Sequence, residues 1–235
     1  MSIAASLANG VKNGFAALLS QDCLLCSAPS ADCLLCPACT ASLPRLPAQR
    51  CPVCALPTPD SHVCGACLKK PPHFDATQAI LRYEFPVDRL IQSLKYAHRL
   101  ASADFLGGLL AQAAILFRPD LIVPVPLAPA RIAQRGFNQA LEIARPLERS
   151  FGAPLEITHI LRRRDTTPQA SLPWKERATN IRHAFECHID LTGKTVLVVD
   201  DVMTTGATLG ELARILRAHG AARVENLVLA RTLKD

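Results

Sequence analysis

VLVVDDVMTTGATL, running from Val196 to Leu209, sets the class of fold. Val196 to Val199 are four apolar, mostly β-branched residues and predict a fully buried strand of the kind found in parallel sheets. Leu209, Leu212 and Leu216 recur at helical spacing, so a helix follows and the chain turns between Asp200 and Gly206. Two adjacent carboxylates and a Thr-Thr-Gly-Ala-Thr run therefore lie at the carboxyl end of a strand and the amino end of a helix. Open α/β sheets bind ligands at that edge.

The loop suits a phosphate. A helix N-terminus offers unpaired backbone N–H groups and a partial positive charge, Gly206 admits close approach, and Thr204, Thr205 and Thr208 add hydroxyls around Ala207. No Lys follows the glycine, so the Gly-x4-Gly-Lys-Ser/Thr nucleotide loop is absent, and no Gly-x-Gly-x-x-Gly opens a helix either. Carboxylates beside a phosphate would repel it, so Asp200 and Asp201 must face another part of the ligand. A ribose diol or a magnesium ion would satisfy them.

A phosphate next to a diol describes a ribose 5-phosphate. The run of two apolar residues, Asp-Asp, an apolar residue, x, Thr-Thr-Gly-x-Thr resembles the signature of type I phosphoribosyltransferases. That resemblance implies that Asp200 and Asp201 bind the ribose hydroxyls of phosphoribosyl pyrophosphate, accompanied by magnesium, and that Thr204 to Thr208 hold its 5-phosphate.

Upstream, strand-like and helical patterns alternate: a strand at Ala79–Tyr83, a helix from Val87 to Ala97, a helix from Ser102 to Phe117, and a strand from Leu121 broken by Pro124 and Pro126. Downstream, Gly220 ends the long helix and Val224 to Ala230 supplies another buried strand. This alternation predicts an α/β domain with a parallel sheet over residues 74–235. Val125, Pro126, Leu127 and Ala128 occupy the place where phosphoribosyltransferases carry a pyrophosphate-binding loop; a proline-rich connection is the other reading.

Nine of the ten cysteines fall between Cys23 and Cys67. Cys23, Cys26, Cys36 and Cys39 are repeated 28 residues later by Cys51, Cys54, Cys64 and Cys67, an internal duplication of Cys-x2-Cys-x9-Cys-x2-Cys. Two Cys-x2-Cys turns complete a tetrahedral shell of four thiolates, so two structural zinc sites are expected in a small double zinc-ribbon domain at 23–70. A disulfide framework is the alternative; no secretion signal precedes the cysteines and a large α/β domain follows them. Cys33-x2-Cys36 offers another pair of the same spacing, but the repeat selects Cys36 with Cys39. Few basic and no aromatic residues interleave the ribbons, which favours docking over nucleic-acid binding.

The first 22 residues carry Ile3, Leu7, Val11 and Phe15 at four-residue spacing and predict an amphipathic packing helix. Asn9, Gly10, Lys12 and Asn13 break the continuous apolar run a signal peptide needs, no run of about 18 apolar residues spans a membrane, and the cytoplasm is the expected location. At 235 residues, 49% hydrophobic and a formal charge of +6, the composition suits one medium domain with an appendage and does not announce a nucleic-acid partner.

Taken in order, the cysteine-pair ribbons, VPVPL at 123–127, RGFNQA at 135–140, the pattern from Thr167 to Phe185 and the Asp-Asp-Thr-Thr-Gly loop resemble the ComF family of competence proteins. The resemblance implies a phosphoribosyltransferase-like C-terminal part and a link to incoming single-stranded DNA or to a DNA-uptake protein. Arg162, Arg163, Arg164, Lys175, Arg177 and Arg182, against Asp165 and Glu176, form the most basic window. In the resembling enzymes a loop there closes over the ligand, so these groups, with Arg131 and Arg135, are expected either to clamp pyrophosphate, to meet a DNA backbone, or to be solvated. Catalysis would displace pyrophosphate at ribose C1. No segment identifies an acceptor, and no histidine spacing nominates a general base, so an active transferase, a ligand-sensing adaptor and a DNA-binding module on a retired enzyme fold all stand.

Overall fold

Val196–Val199 are fully buried, as a strand flanked on both edges and covered on both faces must be. The structure, a computed structural model, describes residues 21–30, 33–96, 100–113, 117–163 and 181–233. In chain order these include α1 (Pro37–Ala41), α2 (Gly65–Lys69), β1 (Ala76–Arg82), α3 (Val87–Tyr96), α4 (Leu100–Ala113), β2 (Leu121–Pro124), α5 (Pro129–Arg135), α6 (Gln139–Phe151), β3 (Ile160–Arg162), β4 (Phe185–Cys187), β5 (Thr195–Met203), α7 (Ala207–Ala218) and β6 (Arg223–Arg231). The expected N-terminal helix lies outside the described residues, as do Arg164, Lys175 and Arg177. The chain divides into two compact units, Met1–Leu43 and Pro44–Asp235, at a boundary between the cysteine repeats.

In the larger unit β1, β6, β5 and β2 form one sheet in that order, and every neighbouring pair is parallel. The α/β class expected from the alternation is what the chain adopts. α7 buries Leu209, Leu212, Ala213 and Leu216, and α6 buries Ala140, Ile143, Ala144 and Leu147, each set at helical spacing. Each large aliphatic side chain so buried contributes roughly 1.5–3 kcal/mol against exposure.

β5 runs further than its apolar core predicts. Asp200 pairs with Val228 and Met203 with Arg231, so both carboxylates belong to the strand and the turn shrinks to Thr204–Gly206. The ladder to β6 overrides the local preference of two aspartates for a turn. Gly206 closes the turn at φ +81°, where a Cβ would stand 2.6 Å from the Met203 methyl.

The cysteine duplication is reproduced in the backbone. Cys23 N–H donates to Ala28 O and Cys51 N–H to Leu56 O, both at 2.8 Å. Ser27 and Ala55 are both left-handed, at φ 58° and 59°, and the bridges Asp22–Pro29 and Arg50–Pro57 match as well. Every one of these features recurs at the offset of the cysteines.

The second repeat is built into the larger unit. β1 is an edge strand, and its free side is covered by the ribbon and its lead-in: Leu46 N–H donates to Ile80 O at 3.1 Å, Arg82 N–H to Pro44 O at 2.8 Å and Thr77 N–H to Pro52 O at 3.0 Å. Cys51, Cys54 and Cys67 share one buried cluster with Ala79, Val198, Leu212 and Val228. Removing a ligand there should therefore unfold more than a ribbon. Cys54→Ser is expected to lower the stability of the α/β unit by about 5 kcal/mol or more, on the scale of a structural metal's contribution. Cys26→Ser should leave that unit's melting midpoint within about 2 °C, because the first repeat belongs to the other unit. Differential scanning calorimetry with zinc quantitation distinguishes the two, and equal losses would mean that the repeats are energetically equivalent.

Candidate functional site

At the carboxyl end of the sheet a cavity of about 220 Å³ opens between the end of β5, the first turn of α7, the residues after β2 and the last turn of α3. It brings together Asp200, Asp201, Thr204, Thr205, Gly206, Ala207 and Thr208 with Val125 and Leu127. Arg162 lines it too, its guanidinium 5.7 Å from the centre of the Phe185 ring. Pro126, Ala128, Arg131, Arg135 and Arg163 are not part of its wall. Arg163 reaches Glu186 at 2.7 Å and Arg131 reaches Gln134 at 3.4 Å. Successive side chains leaving β3 point to opposite sides, which turns Arg162 inward and Arg163 outward.

Tyr83, Lys95 and Gln139 line it as well; sequence reading gave none of them a site role, Gln139 entering only within RGFNQA. Lys95 closes α3 and forms an ion pair with Asp201, its side chain 20% exposed against 5% for the carboxylate. The other Asp201 oxygen accepts from Gln139 Nε2 at 3.1 Å, and Gln139 in turn accepts from Arg135. Asn138 caps α6 through Ala140 N–H at 3.0 Å and donates to Val125 O at 3.0 Å, while Val125 N–H donates to Val199 O at 2.9 Å. The RGFNQA segment thus braces both the acidic pair and the start of the pyrophosphate-type loop. Gly136, at φ 81°, ends α5 and lets the chain turn into that brace.

The two aspartates are unlike. Burial and the neighbouring Asp201 charge push Asp200 well above the usual carboxylate range, and its Oδ1 accepts the Asp201 N–H at 2.9 Å. Burial also works to raise Asp201, but the Lys95 ammonium and Gln139 outweigh it and hold that carboxyl below its ordinary value. Lys95 is lowered by burial and raised more by Asp201, and the balance leaves it a firm cation.

Behind the phosphate-type loop lies Arg231, 2% exposed. Its Nε donates to Cys54 O at 2.9 Å and its Nη1 to Met203 O at 2.9 Å and to Thr204 O. One guanidinium thereby joins the second ribbon to the loop.

Each cysteine set fits zinc. The four sulfurs of each lie within 4.8 Å of one another, and Cys26–Cys36 and Cys54–Cys64 are 3.7 and 3.6 Å apart, close to the about 3.8 Å edge of a tetrahedron with 2.3 Å Zn–S bonds. Cys33 belongs to neither set. The Cys36 backbone amide, over the cost of burial, lowers Cys23 to about 6, whereas hydrogen bonds with Cys26 and Cys36 push Cys39 up to about 12. Four thiolates repel, and a dication allows all of them to ionise. Magnesium is held by one or two carboxylates together with waters and ligand phosphates, and here both Asp201 oxygens are engaged, which leaves the pair one Asp200 oxygen to offer it.

Opposite shifts give opposite pH signatures. A carboxyl raised on folding costs stability as pH climbs from its unfolded value near 3.8 through its folded one, so Asp200→Asn should stabilise the chain at pH 7 and lose that advantage in acid. Asp201 is lowered on folding, so its contribution is present above 3.8 and is lost as pH falls through the folded value. Asp201→Asn should therefore destabilise at pH 7, by roughly 3 kcal/mol, since it strands a buried cation. Urea melts of both variants from pH 3 to 8 check the signs.

Comparison with known proteins agrees with this layout. A double zinc ribbon domain model matches residues 15–68 and a phosphoribosyl transferase domain model residues 132–235. The DNA utilization protein YhgH of Escherichia coli K12 is 36% identical over 172 residues, 70% of this chain and 76% of its own. Competence protein F of Haemophilus influenzae is 33% identical over 174 residues, 69% and 76% of the two chains. Among solved structures, a purine phosphoribosyltransferase from Pyrococcus horikoshii Ot3 shares 22% identity over 55% of this chain and 71% of its own, with a TM-score of 0.35. Among the described residues no helix is long and apolar enough to cross a membrane. With identity of this level over three quarters of its relatives and both domain models matched in the same order, the chain belongs to the ComF family, a double zinc ribbon followed by a phosphoribosyltransferase-type domain.

Proposed function

We propose that the cavity binds phosphoribosyl pyrophosphate and that this binding serves the handling of DNA. The observation that carries the reading is the convergence, in one cavity, of a phosphate-type loop at the N-terminus of a 12-residue helix, a carboxyl with a free oxygen, and the start of a second loop across from them. The α7 N-terminus and the Thr204–Thr208 amides and hydroxyls receive the 5-phosphate. Asp200 accepts from the ribose hydroxyls, the Val125–Ala128 loop receives the pyrophosphate, and Arg162 offers it a cation from the side. The relatives are named for DNA utilization and competence, which supports a role in taking up or processing incoming DNA. Binding is the step that the arrangement supports; turnover would need an acceptor group that no described residue singles out.

Calorimetric titration of the zinc-loaded protein tests this. Phosphoribosyl pyrophosphate should bind at least about tenfold more tightly than ribose 5-phosphate, the worth of one extra charge-assisted contact set. Asp200→Asn should weaken it by about tenfold while the fold persists. Absence of binding to a folded, zinc-loaded sample would overturn the reading and leave the ribbons as the working part of the molecule.

A further inference from the structure

Lys95 is an unusual lining for an acidic cavity floor. A buried ion pair is seldom the most stable filling of such a place, since well-packed apolar residues often do as well or better. Nor is this pair sealed off, because Lys95 keeps 20% of its side-chain exposure and borders the cavity itself. Asp201 is spent on holding it: one oxygen meets the ammonium and the other is fixed by Gln139, which Arg135 anchors. The network points a cation at the ligand space and locks it there.

The charge balance says what that cation does. Asp201, beside Asp200, would present its negative charge to a polyanion, and the Lys95 ammonium paired with it cancels that charge. A divalent metal would otherwise supply that neutralisation, yet Asp201 has no oxygen left for one. We propose that Lys95 is a ligand-contacting residue that stands in for a divalent cation against the acidic pair, so that phosphoribosyl pyrophosphate binds here without obligatory magnesium. This rests on the reading of the cavity as a phosphoribosyl pyrophosphate site. The Lys95 ammonium, already paired on one side, donates its remaining hydrogens to the ribose hydroxyls or pyrophosphate oxygens above Asp201.

The test is titration of the full-length, zinc-loaded protein with phosphoribosyl pyrophosphate, with and without magnesium, in resin-treated buffer free of chelators that would strip the ribbons. The wild type should bind with a Kd that changes by less than about threefold on omitting magnesium, whereas Lys95→Met should lose about thirtyfold without it, the worth of one contact to a charged group. Added magnesium should restore much of the Lys95→Met loss, because the vacated Asp201 oxygen can then take the ion, and Lys95→Arg should retain most of the magnesium-free affinity. A wild type that loses more than about tenfold without magnesium, or a Lys95→Met variant that binds like the wild type without it, overturns the inference while leaving the site intact. No binding by the wild type in either buffer overturns the site and this role together. If Lys95→Met fails to fold, the magnesium dependence of the wild type decides alone.

Discussion

A single buried guanidinium fixes the relation between the parts of the larger unit. Arg231 ends β6 and has carbonyl oxygens for partners, from Cys54 in the ribbon, Met203 and Thr204 at the loop, and Thr232 next door. Burial disfavours its charge, and the carbonyl dipoles, with the nearby cysteines, are what offset that cost. An arginine in this position tolerates little displacement of either side, because a carbonyl that moves away leaves a charged donor unsatisfied in the interior. The turn that carries Cys51 and Cys54 and the Thr204–Gly206 turn are therefore held to one geometry.

This gives the cysteine duplication an asymmetric outcome. The repeats share spacing, hydrogen bonds, left-handed residues and short helices, so the local code is the same in both. Among the described residues the second repeat covers an edge strand and receives an arginine, and its cysteines sit among the aliphatic residues of the sheet. A metal there would be part of the α/β unit's core, whereas the first repeat, with buried Leu35 and a five-residue helix, belongs to the other unit. The Arg231 side chain, on the Cys54 carbonyl at one end and the Met203 and Thr204 carbonyls at the other, couples the turn after β5 to the second cysteine set.

Much of this was legible in the sequence because period and spacing are local. Val196–Val199 could only be a covered strand, the leucines of α7 could only face it, and the cysteine offset announced both metal sets. The end of β5 was not legible: Asp200 and Asp201 favour a turn, and the partner that keeps them extended is β6, some thirty residues away. Lys95 and Gln139 escaped for a similar reason. A lysine late in an amphipathic helix and a glutamine at the start of another are ordinary surface residues until the sheet brings Asp201 between them. Arg131 and Arg163 show the reverse, since charge near a motif says nothing of which way a side chain points.

The adjacent aspartates carry the same lesson into chemistry. A motif presents them as a pair, and both line the cavity, yet their partners differ. Asp201 meets Lys95 and Gln139 and is held ionised; Asp200 meets its neighbour's charge and little else, and is driven toward its neutral form. Two identical residues thus differ in state, the first raised toward neutrality and the second spending its charge on keeping a cation in place. Without Lys95 the Asp201 charge would stand uncompensated beside the cavity, and without Asp201 the ammonium would have no reason to stay desolvated there. The acidic pair and the lysine form one electrostatic unit, assembled from two strands' worth of pairing and the last turn of a helix more than a hundred residues upstream.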